Sequence, residues 1–119
     1  MSFAALRASL TAAVSSVPSV RVYSDPGATI DPPGAILGLS EGTWENYNTS
    51  EPTESTTLVY LVVAADEHAT DNLTDLLDQV VTAIWEQTDC AVTAAVPGTY
   101  QAASADLPAY VLTVVGVGQ

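Results

Sequence analysis

The sequence contains no lysine and only two arginines, Arg7 and Arg21, against fourteen acidic residues, so its formal net charge is −12. Nucleic-acid binding draws its affinity from cations that neutralise phosphates, and this chain has almost none to offer. An anionic membrane surface is excluded on the same ground. Cysteine is equally scarce: Cys90 stands alone, which rules out an intrachain disulfide or a cysteine metal cluster. Its apolar neighbours Ala91 and Val92 fit a buried small hydrophobe better than a reactive thiol. No apolar run reaches the length of a membrane span, and the first residues lack the basic region of a signal peptide. A product of the cytoplasm is therefore expected. Gly27, Gly34, Gly38 and Gly42 are scattered over a turn-rich stretch and do not join a strand to a helix, so there is no phosphate-binding loop. Nothing resembles a nucleophile elbow either.

What is present is the material of one globular domain, residues 1–119, with 48% apolar residues. Phe3, Leu6, Leu10 and Val14 recur at helical spacing behind Ser2, an N-cap residue, and predict a first helix to about Ser15. Val20–Tyr23 reads as a short strand. Asp25-Pro26-Gly27 and Asp31-Pro32-Pro33-Gly34 are turns that deliver the chain into a strand over Ala35–Leu39. A weaker strand is expected over Thr43–Tyr47, and Asn48–Ser55, without an apolar side chain, reads as a loop. Thr56–Ala65 is a strand with two apolar faces, Leu58, Tyr60 and Val62 on one and Val59, Leu61 and Val63 on the other.

Thr70 is placed as the cap of a second helix to Gln87. Steps of about 100° per residue gather Leu73, Leu76, Leu77, Val80 and Ile84 on one side, with Asp71, Asp75, Asp78 and Glu86 opposite. Cys90–Ala95 is a further strand, ended by Val96-Pro97-Gly98, and Ala109–Val117 is the last. The order α-β-β-(β)-β-α-β-β predicts an α+β fold. Two helices pack on one face of a mixed, mostly antiparallel sheet of four to six strands.

Two helices cover one face of such a sheet, yet Thr56–Ala65 and Ala109–Val117 are apolar on both. A neighbouring subunit is the simplest cover, because soluble monomers seldom expose large apolar patches. A sheet folded over itself into a partial barrel is the alternative. Asp66, Glu67, His68 and Asp71 offer donors for a metal, but acids are expected beside a helix N-terminus from its dipole alone. No metal, cofactor or catalytic residue is assigned. Small metal- or ligand-binding domains stay open as a class. Trp44 and Trp85 are both read as packing residues, Trp85 at the border of the helix stripe, with an interface role as the alternative for Trp44. Trp44 beside its turn, together with Tyr47, Asp31, Pro32, Pro33, Leu61 and Val63, is a candidate for subunit or axial contacts.

Several segments resemble the tail terminator proteins of long-tailed actinobacteriophages. They are Phe3-Ala4-Ala5-Leu6-Arg7-Ala8, Val20-Arg21-Val22-Tyr23, Asp31-Pro32-Pro33-Gly34-Ala35-Ile36-Leu37-Gly38, Leu58-Val59-Tyr60-Leu61-Val62-Val63 and Leu73-Thr74-Asp75-Leu76-Leu77-Asp78. The resemblance implies a non-enzymatic virion protein, assembled in the host cytoplasm. It implies a ring, typically a hexamer, that ends the tail tube and meets a head-side connector or stopper. DNA would pass through the ring without specific binding. Other neck rings, such as a head-to-tail connector or stopper, share the size and acidity. On this reading Asp71, Asp75, Asp78 and Glu86 are candidates to face the lumen, where carboxylates repel phosphate.

Overall fold

Helix α1 (Phe3–Ser15) opens the chain and buries Leu6, Leu10, Ala13 and Val14, a narrow stripe continued by Val17 beyond its end. The computed structural model describes residues 3–17, 20–23, 34–44, 54–64, 67–88, 90–101 and 106–117, with Phe3 and Val117 described by their backbone. Strands β1 (Arg21–Tyr23), β2 (Gly34–Leu37), β3 (Glu41–Thr43) and β4 (Glu54–Val62) follow, then α2 (Ala69–Gln87), β5 (Cys90–Gln101) and β6 (Asp106–Val117). The α+β order expected from periodicity is the order observed.

The strands make one six-stranded sheet along the path β1-β2-β4-β6-β5, with β3 pairing β4 on the same side as β2. Only β1 and β2 run parallel among the described residues. Among the described residues the path is open, with β1 and β5 at its two ends. Both helices lie on one face. They cover Ala35, Leu37, Val59, Leu61, Val63, Leu112 and Val114 with their own Leu6, Leu10, Val14, Leu73, Leu76, Val80 and Ile84. Each Val, Leu or Ile among them contributes roughly 1.5–3 kcal/mol on full burial. The opposite face carries a smaller cluster of Ile36, Val62, Leu107 and Ala109, shielded by Tyr23, Tyr60 and Tyr100. Tyr60 and Tyr100 meet with ring centroids 5.6 Å apart.

Local chemistry sets the element boundaries. The N-cap of α2 is His68, not Thr70, and no side chain caps it. The His68 carbonyl accepts the Asn72 amide at 2.9 Å, and Thr70 lies inside the first turn with its carbonyl accepting from Thr74 Oγ1. At the other end Thr88 is extended. Its Oγ1 donates to the Ile84 carbonyl at 2.6 Å and accepts the Cys90 amide at 3.1 Å, which ends the helix and starts β5. Gln87 Nε2 donates to Ser16 Oγ at 2.8 Å and ties together the C-terminal ends of the two helices.

Arg7 reaches from α1 to the sheet, where its guanidinium donates to the carbonyls of Gly38 and Leu37. Those carbonyls sit where β2 ends and the chain bends toward β3. Gly38 donates its amide to the Leu58 carbonyl at 2.8 Å, and a side chain there would sit 3.2 Å from that oxygen. Close approach of two backbones is the physical reason for glycine at this bend. The short strand after it covers Glu41–Thr43, ahead of the expected Thr43–Tyr47.

The largest departure from expectation is β5. Val96-Pro97-Gly98 does not stop the strand, which runs on to Gln101 in register with β6, Pro97 facing Tyr110 and Gly98 facing Ala109. Proline is tolerated because among the described residues β5 pairs on one side only; an edge strand has amides that need no ladder partner. Thr93 is an extra residue in a bulge between Val92 and Ala94. It reverses which alternate residues face the helices along the rest of the strand.

Candidate functional site

Three surfaces carry the residues singled out by the sequence. The first is the outward face of α2. Asp71, Asp75, Asp78 and Glu86 are all exposed, opposite the buried Leu73, Leu76, Val80, Ala83 and Ile84. Asp78 and Glu86 border an open groove of about 410 Å³ between α2 and the end of α1, whose other walls include Ser16, Val17, Gln79 and Ala83. No lysine exists to pair with these acids, so the face projects negative charge into solvent.

The second surface is the proposed set of contact residues, which the fold divides. Trp44 is 46% exposed at the end of β3, as a contact residue requires. Leu61 and Val63 do not qualify: both lie beneath the helices, Leu61 fully buried, and they belong to the main core. The period of two assigned them to one face correctly, but the helices occupy that face. The uncovered apolar positions belong to the other set of alternate residues, with Leu58 exposed and Tyr60, Val111 and Val115 half-buried. Tyr47, Asp31, Pro32 and Pro33 lie outside the described residues.

The third is the approach to α2. Glu67 Oε1 lies 3.4 Å from His68 Nε2, with both side chains largely exposed. Asp71 is exposed one turn further on, and Asp66 lies outside the described residues. Among the described residues no group of three or more His, Cys, Asp or Glu side chains is placed to hold a metal ion. No helix there is long and apolar enough to cross a membrane.

Sequence reasoning missed one surface. Trp85, read as a packing residue, is 74% exposed on α2. From Thr74 to Trp85 the helix turns eleven steps, which returns to within about 20° of the same direction. Thr74 lines a cleft of about 230 Å³ with Ala69, Pro97, Gly98 and Tyr110. Trp85 therefore stands on the flank of α2 that looks toward β5. Along β5 itself Ala91, Thr93, Ala94, Ala95, Pro97, Gly98 and Thr99 are exposed, and Val96 is 58% exposed. None of its twelve residues is charged. A run of uncharged, partly β-branched residues beside a proline was the available signal, but its edge position could not be read locally.

No protein-family model matches the chain, and no curated protein matches it. Among solved structures, the chain superposes on the bacteriophage SPP1 gp17 protein with a TM-score of 0.56 and 10% sequence identity. The match covers 98% of this chain and 90% of that one. At this identity the likeness is one of fold alone.

Proposed function

We propose that the chain is a non-catalytic structural subunit of a phage tail or neck. On this reading it forms a ring, of six copies in the tail terminator form, that ends the tail tube and meets the head-side connector or stopper. The observation that carries the reading is the shared fold with the phage protein gp17 along nearly the full length of both chains. The charge supports it. A channel that DNA crosses must not retain phosphate, and a chain of net charge −12 has an exposed helix face of four carboxylates to line such a passage. Asp71, Asp75, Asp78 and Glu86 are assigned to the lumen, and Trp44 to contacts with a neighbour.

Native mass spectrometry over a concentration series, followed by electron microscopy alone and with purified tail tubes, tests the proposal. The expected result is a closed ring with an open channel, either free in solution or seated on tube ends. A chain that stays monomeric in solution and leaves tube ends bare sinks it. A ring whose α2 helices lie on the outer rim keeps assembly but removes the lumenal role of the four acids.

A further inference from the structure

We infer that the outer edge of β5, with the Trp85 flank of α2 above it, receives a strand from a second copy of this chain. The inference rests on the ring reading and names the contact that builds the ring. Strand β5 is twelve residues long, about 40 Å at ~3.4 Å per residue, and among the described residues it pairs only with β6. An edge of that length is a template for another strand.

Proteins commonly guard such edges with charge, lysine above all; β5 has no charged residue in a chain carrying sixteen. That absence selects the occupant. Two copies at −12 repel wherever acidic surfaces meet, so an uncharged strip is where they approach one another at the least electrostatic cost. A basic partner would instead seek the carboxylates that β5 lacks. Trp85 adds a large apolar side chain on the same side, of a type that dominates protein contacts. The bulge at Thr93 and the proline at 97 break the edge into short windows, with Ala94–Val96 between them, and so restrict the register an incoming strand can take. A ring requires a head-to-tail contact, so the incoming strand is not the neighbour's own β5.

The test compares the full chain with Val96→Lys, which places a charge on the edge, and with Gln79→Lys, which places the same charge on an exposed position of α2. Both variants lower the net negative charge, so a general charge effect would favour assembly in each. Native mass spectrometry, alone or on tail tubes, is expected to show a rise of about tenfold or more in the concentration needed for assembly by Val96→Lys only. Hydrogen exchange on the unmodified chain is expected to show β5 amides slowing when the ring forms, independently of any variant. Assembly that is indifferent to Val96→Lys, with β5 amides exchanging equally fast in ring and monomer, overturns the β5 contact and leaves the ring reading standing. A species that stops at two copies, with β5 cross-linked to β5, overturns the head-to-tail contact. A chain monomeric under every condition overturns the ring reading itself.

Discussion

Strands β4 and β5 flank the same strand, β6, and are built from similar residues, yet they have opposite fates. In β4 every second side chain from Ser55 to Leu61 is buried under the helices, and Thr57 is fully enclosed, with its hydroxyl 2.7 Å from that of Ser40. In β5 only Cys90 is buried, while Val92 and Tyr100 are partly covered. Both strands are free of charge over most of their length. What separates them is neighbours: among the described residues β4 has strands on both edges and two helices above, whereas β5 has one strand and a single flank of α2. Burial follows position in the sheet, and composition merely permits it.

The sharpest way to break this contrast is a matched pair of truncations on the two sides of β6. Leu112→Ala, at a fully buried position in the helix-covered core, is expected to cost about 2–5 kcal/mol in urea unfolding. Val96→Ala on the β5 edge is expected to stay within about 0.5 kcal/mol. Equal losses at the two positions would mean that β5 is covered in the isolated chain.

A smaller effect is expected where β5, β6 and α1 meet. A side chain at Gly116 would lie 3.2 Å from Cys90 Sγ, Leu6 Cδ1 and Ser55 Oγ together. Gly116→Val is therefore expected to cost about 1–3 kcal/mol by overpacking, read as a lower unfolding midpoint with an unchanged slope. A neutral result would show that α1 can lift from the sheet at this end. Smaller again is Arg7→Met, which keeps most of the stem but removes the donors to Gly38 and Leu37. About 1 kcal/mol is expected in the same assay, given a partly buried site. Loss of the Arg7 contacts should loosen β2 and β3 while leaving β5 untouched, visible as faster hydrogen exchange confined to the former.

Much of the α2–β4–β6 layer was legible in the sequence because periodicity is a local signal. Leu73, Leu76, Val80 and Ile84 recur at helical spacing, and Val59, Leu61 and Val63 alternate; all seven are in the core. Thr70 has the composition of a cap, but the cap position falls two residues earlier, at His68, and no side chain caps it. The end of β5 is hidden in the sequence for a related reason. Pro97-Gly98 is a turn signal by composition, but on an edge strand the missing amide costs nothing in the ladder, and β6 holds the pair in register. A tryptophan beside an apolar stripe usually packs there, but in the fold Trp85 stands 74% exposed on α2.

By itself, then, the sequence determined the charge, the missing phosphate-binding and catalytic motifs, the periods of the main helix and strands, and the set of residues able to be buried. The tertiary structure alone decided which of two equally apolar faces of β4 receives the helices, and hence that Leu61 and Val63 are core while Leu58 stays outside. It alone decided that β5 is an open edge among the described residues. Alternation encodes two faces without naming either, and strand order depends on contacts between residues far apart in the chain, which no local pattern contains.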